Sequence, residues 1–195
     1  MLHGARGTGM DLVTLDFETF YSKEFSLSKL TTEEYIRDDR FETIGVATKI
    51  NDRKPRWFPN YPDKIESHFN EVDWDEAIVV AHNAMFDGAI LSWRYDVHPK
   101  IIVDTMSMSR AIDGVNAKHS LKFCSERYGI GEKGTEVLNA LGKQLRDFSP
   151  VELSQYGRYC LNDVELAFKL FCIYASDMAV DELEVISTTM KMLTE

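Results

Sequence analysis

Cysteine is scarce: Cys124, Cys160 and Cys172 are the only three in 195 residues. Their number is odd, their spacings are wide and no CxxC pair occurs. That excludes a disulfide framework and a zinc knuckle, and leaves free thiols of a reducing compartment. Positive charge is also short. Lys and Arg number 22 against 32 Asp and Glu, for a net charge of −10. A broad grip on nucleic acid relies on Lys and Arg neutralising phosphates, so this balance excludes it, while a short, metal-bridged contact stays open. No run of roughly eighteen apolar residues occurs, so no segment is expected to cross a membrane. Internal repeats and low-complexity tracts are absent as well.

What is present is an ordinary globular balance, 44% hydrophobic and 28% charged residues, in a length that suits one domain. This rules out a disordered, collagenous or coiled-coil chain. Residues 1–10, glycine-rich and with almost nothing apolar, read as a disordered or vector-derived leader without the hydrophobic segment of a signal peptide. Residues 11–195 read as the folded domain.

Strand patterns run from Leu12 to Phe17, Phe41 to Ile50 and Arg56 to Phe58. Ala77 to Ala81 is a compact apolar run, as in a strand buried on both faces, and Ile101 to Val103 is another short one. Helical patterns cover Asp63 to Phe69, Phe86 to Tyr95, Thr105 to Ile112 and Ser120 to Tyr128. Gly129, Gly131 and Gly134 spell GxGxxG, but a helix rather than a strand precedes them. They read as a helix cap and a turn, not a dinucleotide site. The clearest helix starts at Ser149, where Pro150 fits the first position and Glu152 completes a capping box. Its buried stripe runs through Leu153, Tyr156, Cys160, Val164, Ala167, Phe171 and Tyr174. A last helix from about Val180 carries Leu183, Ile186, Met190 and Leu193 on one side, an apolar stripe that expects a partner surface. Strands interleaved with helices predict an α/β domain, a central mixed sheet flanked by helices.

The acids carry the chemistry. Asp16 and Glu18 share a strand face, roughly 6–7 Å apart by strand rise. Such a pair is costly unless protonated or bridged by a cation. Asn83 and Asp87 follow directly on a buried strand, where sites of open α/β sheets gather. Tyr159 and Asp163 lie one turn apart on the long helix, at the border between core and solvent. Each pair alone is also compatible with solvated or helix-capping acids. Together, the four acids suit two oxygen-loving divalent cations, Mg²⁺ or Mn²⁺, rather than zinc. Asp104 reads as a capping acid before Thr105, and His82 and His119 read as structural.

Asp-x-Glu at 16–18, Asn-x-x-x-Asp at 83–87 with Phe86 inside it, and Tyr-x-x-x-Asp at 159–163, in that order, resemble the three motifs of the DEDD 3′–5′ exonuclease superfamily. The implied fold is RNase H-like (DnaQ-like). Arg158 stands where the histidine subclass would carry His, so Tyr159 places the resemblance in the tyrosine subclass. Tyr21-Ser22, Leu27-Ser28-Lys29, Thr32 to Tyr35, Val103 to Met106, Ser120 to Lys122 and Asp181 to Glu184 further resemble the proofreading domain of bacteriophage family A DNA polymerases. The resemblance covers about residues 11–195 and implies either a domain excised from a longer polymerase, which the apolar stripe of the last helix favours, or a stand-alone relative.

It also implies roles. Asp16 would bridge two metals, Glu18 and Asp163 would complete the site of the water-activating ion, and Asp87 would hold the second. Tyr159 would orient the attacking water. Thr19 would meet the terminal 3′ hydroxyl, Asn83 and Phe86 would steady terminal nucleotides, and Phe17, Phe20 and Leu27 would stack on or wedge between bases. Lys118, Lys122, Lys133, Lys143, Arg146 and Arg158 are candidate strand contacts. The implied activity is hydrolysis of single-stranded DNA from its 3′ end, in the cytoplasm (a host's, if phage-encoded), with the polymerase domain as partner. An exoribonuclease of the RNase D type and a silent nucleic-acid-binding module are the alternatives.

Overall fold

The computed structural model describes residues 9–134 and 140–195. Most of the expected leader and the centre of the 129–145 segment therefore lie outside the described residues. Five strands form one mixed sheet: β1 (Asp11–Thr19), β2 (Thr43–Ile50), β3 (Arg56–Pro59), β4 (Ala77–Ala81) and β5 (Ile101–Asp104), in the order β3-β2-β1-β4-β5. β1 pairs antiparallel with β2 and parallel with β4, and β5 extends the parallel half. The helices are α1 (Thr32–Arg37), α2 (Lys64–Phe69), α3 (Ala84–Tyr95), α4 (Thr105–Asp113), α5 (Leu121–Tyr128), α6 (Pro150–Asp177) and α7 (Val180–Thr194).

Alternation along β1 sets the layers. Val13, Leu15 and Phe17 point into a core with Phe25, Tyr35 and Phe69. Asp16 and Glu18 face the other way, towards α6, and are half-buried. Opposite them on β2 stand Ala47 and Gly45. These small residues leave room for α6 to come close, and Ala47 packs with Cys160 and Val164. Trp57 fills the remaining gap: a Cβ added at Gly45 or at Gly157 of α6 would stand 2.5 Å from its ring. The parallel pairing with β4 ends at Thr14↔Val80, so Asp16 and Glu18 lie beyond it, at the carboxyl end of the strand. That is the edge where open α/β sheets form their crevices.

Local chemistry explains the long helix. The Ser149 side chain accepts from the Glu152 amide at 3.3 Å, and the Glu152 carboxylate accepts from the Ser149 amide at 2.8 Å. Gly129 ends α5 at φ +60°, as a cap reading of the glycines requires. The last helix departs from expectation. It packs on β5 and α3, with Met190 buried and Leu183 and Ile186 against a second core that holds Val103, Met108 and Leu170, while Leu193 is exposed. The domain itself covers most of the stripe that seemed to await a partner.

Candidate active site

Asp16 and Glu18 at the end of β1 face the middle of α6, where the Asp163 carboxylate acts on both. One donor atom each from Asp16, Glu18 and Cys160 lie within 4.8 Å of one another. Asp163 is buried, deeper than the border position its spacing suggests, and one of its oxygens, Oδ1, has no hydrogen-bond partner. Its other oxygen accepts from Lys133 Nζ at 2.6 Å. Asp87 arrives from the first turn of α3, where the helix dipole favours negative charge. Its Oδ1 accepts from the Phe17 amide at 2.9 Å, which pins it beside Asp16.

The charges are mutually unfavourable. Burial and the Asp163 carboxylate push Asp16 up to about 7. Burial and then Asp16 raise Glu18, and the same two causes, in that order, raise Asp87. Burial raises Asp163, with Lys133 opposing it. Four carboxyl groups that resist ionisation in one place are what a cation would relieve.

Tyr159 is half-buried, with Lys133 Nζ 5.2 Å from its ring centroid. Burial and Asp163 raise its hydroxyl above the ordinary tyrosine range, so it is a proton donor at neutral pH. Tyr156, one turn earlier on the buried stripe, acts through its hydroxyl against the rise of Glu18. Cys160 donates towards Asp16, with Sγ 3.2 Å from the carbonyl oxygen and 3.3 Å from Oδ2.

The expected substrate contacts divide. Asn83 is exposed at the N-cap of α3, in a left-handed conformation with φ +73°, and its amide is free of the cap. Phe86 is half-buried against Tyr35, with ring centroids 6.0 Å apart. Both belong to the start of α3, the segment that carries Asp87. Phe17 does not serve as a stacking platform: its ring is in the core, stacked on Tyr95, because it sits on the opposite strand face from Asp16. The Thr19 hydroxyl is already engaged. Tyr35 donates to the Phe20 carbonyl, which leaves Thr19 to donate to the Tyr35 oxygen at 2.9 Å. Phe20 stacks on Phe25, and Leu27 is exposed.

Of the six candidate basic residues, Lys133 alone bonds to one of the four acids among the described residues. Lys143 pairs with Glu152, Lys122 with Glu126, and Arg158 reaches Ser154. His82 is structural, with both ring nitrogens engaged by Thr105 and the His119 carbonyl. Asp104 caps as expected, and does so twice: it accepts from the Met106 and Ser107 amides of α4 and from the Asn83 and Ala84 amides at the start of α3. Lys133, Tyr156 and Cys160 are the site neighbours that sequence spacing does not single out. For the last two a signal exists, since 156, 160 and 163 share one helix face.

This mixed sheet, with its acids at the carboxyl end of the central strand, has the DnaQ-like, RNase H-like fold of 3′–5′ exonucleases. Among the solved structures it resembles are NrnC of Brucella melitensis with bound Mg²⁺ (TM-score 0.67, 14% identity, 95% of this chain and 84% of that one) and RNase D of Trypanosoma brucei in complex with RNA U12 (TM-score 0.70, 14% identity, 95% and 63%). At these identities the likeness is one of fold. In sequence, the chain is 38% identical over 137 residues to the PolC-type DNA polymerase III of Staphylococcus saprophyticus, covering 62% of this chain and 9% of that polymerase. The chain thus spans under a tenth of this relative's length. PolC-type polymerases are family C enzymes, and the resemblance to family A phage polymerases expected from the motifs is not shown by these matches. No family model matches the chain.

Proposed function

We propose that the chain is a metal-dependent 3′–5′ exonuclease that releases mononucleotides from single-stranded DNA, and that it serves a DNA polymerase as a proofreading domain. One observation carries the reading. Asp16 and Glu18 gather at the end of β1, the Asp163 carboxylate of α6 acts on both, and the buried Asp163 Oδ1 has no hydrogen-bond partner among the described residues. A carboxylate-rich donor set suits Mg²⁺ and Mn²⁺. Asp16, Glu18, Asp87 and Asp163 would hold two such ions, which when bound lower the pKa of the attacking water and stabilise charge on the leaving oxygen.

The chain's own groups do the rest. Tyr159 stays protonated and orients the attacking water by hydrogen bonding, too weak a base to take its proton. Lys133 offsets part of the acid charge and holds Asp163 in place. Tyr156 steadies Glu18, and the Phe17 amide fixes Asp87. Asn83 and Phe86 offer an amide and a ring edge to the terminal nucleotides. The PolC-type relatives support a polymerase as partner, joined to this domain in one parent chain. The family A phage setting rests on the sequence motifs alone.

The test incubates 5′-labelled single-stranded DNA, and RNA of the same sequence, with Mg²⁺, Mn²⁺ or EDTA. The expected result is a metal-dependent ladder that shortens DNA from the 3′ end. D16A and D163A should each lower the rate on the order of 10³-fold or more while keeping the fold. Undiminished activity in either variant would refute the site. Preferred cleavage of RNA would favour the exoribonuclease reading, which the fold likeness to an RNase D supports. Cleavage of neither would leave a nucleic-acid-binding module.

A further inference from the structure

Cys160 introduces a donor that a hard-cation site does not need. It is fully buried, and its sulfur lies with donor oxygens of Asp16 and Glu18 inside a 4.8 Å cluster. A second observation stands beside it: Asp163, itself buried, keeps Oδ1 without a hydrogen-bond partner among the described residues, and its charge acts on Asp16.

Sulfur discriminates between cations. Mg²⁺ prefers oxygen, whereas softer ions such as Cd²⁺ and Zn²⁺ bind thiolates strongly. With bonds of about 2.3 Å to sulfur and about 2.1 Å to oxygen, a tetrahedral ion separates the two donors by about 3.6 Å. The Cys160 Sγ to Asp16 Oδ2 distance of 3.3 Å is already near that value. We infer that Asp16, Glu18 and Cys160 form a site for a thiophilic divalent cation, Cd²⁺ or Zn²⁺, overlapping the proposed hard-metal site, so that these ions compete with Mn²⁺ and block the nuclease. The inference deepens the reading of the cluster as a metal site. Binding breaks the sulfur–hydrogen bond, forms a sulfur–metal bond and releases one proton to solvent. No electron moves.

The test titrates the metal-free full chain with Cd²⁺ alone and follows the ultraviolet thiolate-to-cadmium charge-transfer band. The band should appear and saturate with one ion per chain. It should vanish in C160A and in the size-matched C160S, with at least ~10-fold weaker Cd²⁺ binding, about 1.4 kcal/mol. C124A and C172A should keep it, and excess Mn²⁺ should suppress it. Melting curves of both Cys160 variants establish that they are folded. Absence of the band in the wild type, its survival in a folded Cys160 variant, or its persistence under excess Mn²⁺ would overturn the inference. The outcome is separable from the nuclease reading. Mn²⁺-dependent cleavage without a thiolate band would sink only the inference, and a Cys160-dependent band without cleavage would sink only the nuclease.

Discussion

In the proposed reaction Tyr159 acts without bonding to a cation. Its ring packs beside Lys133, and its hydroxyl is held protonated by burial and by Asp163. A group that orients a reacting water acts through position, and an error of about 1 Å costs on the order of 100-fold in rate. Tyr159→Phe keeps the ring and removes the hydroxyl. It should lower kcat on the order of 100-fold, leave Mn²⁺ affinity and the melting temperature near wild type, and leave KM little changed. Steady-state kinetics beside calorimetric Mn²⁺ titration checks this. A loss of Mn²⁺ binding equal to the loss of rate would show that Tyr159 supports the metal instead. Lys133 is the contrasting case. Its contact with Asp163 spans 30 positions and starts from a glycine-flanked loop, so no local pattern announces it. Six basic residues look alike in sequence, and only the packing of that loop against α6 selects one.

Among the elements, Asp104 ties two helices to the sheet. Its carboxylate accepts from the Asn83 amide at 2.8 Å and the Ala84 amide at 3.1 Å, and also from the Met106 and Ser107 amides at 3.1 Å each. A single cap is worth about 0.5–2 kcal/mol, so Asp104→Ala should cost about 1–4 kcal/mol by removing two. At about 2–4 °C per kcal/mol for a chain of this size, the melting temperature should drop by about 2–16 °C. A drop under about 2 °C would show that water replaces the caps freely. The first of these roles was legible, because an acid before a helix is a local signal. The second was not, because α3 is 20 positions away and only the neighbouring of β4 and β5 brings it close. The same division runs through the fold. The capping box and stripe of α6 are periodic over many turns and readable, as are the apolar runs of β4 and β5. The order β3-β2-β1-β4-β5 is not, since strand neighbours are chosen by long-range packing. α1 has only six residues, too few for periodicity to show, although its Thr31–Glu34 capping box stands in the sequence. Asp16 and Glu18 were readable as partners because a strand's two-residue repeat fixes their face. Phe17 follows from the same repeat as a core residue, and that outweighs any role for its ring at the strand surface.

For the whole molecule, the acidic cluster makes stability depend on pH and metal together. Asp16 is pushed up to about 7 in the folded chain, above the 3.8 of a free carboxyl. Between those values the folded state binds a proton that the unfolded state lacks, which favours folding. The benefit is lost as pH rises through 7. From pH 6.5 to 8.5, the metal-free chain should lose at most about 1 kcal/mol from this residue, less in so far as the half-buried carboxyl keeps water. Glu18 and Asp87, also raised, add in the same direction. His68 and His82 act oppositely, since burial lowers both, and their titration in the unfolded chain near 6.5 offsets part of the loss at the lower end of that window. The carboxyls held low, Asp38 and Glu152 at about 2, stay ionised throughout it. The melting temperature of the metal-free chain should therefore fall by a few °C between pH 6.5 and 8.5. A cation bound to ionised carboxylates reverses the sign, because higher pH supplies the ligands it needs. Mn²⁺ at about 100 times its Kd should add about 2.7 kcal/mol, and more at pH 8.5 than at 6.5. Asp16→Asn removes the central charge, so it should flatten the metal-free pH slope and abolish most of the Mn²⁺ gain. Melting curves at the two pH values, with EDTA and with Mn²⁺, decide the matter. A metal-free slope that survives in Asp16→Asn would locate the repulsion elsewhere, and a Mn²⁺ gain that survives it would locate the cation elsewhere.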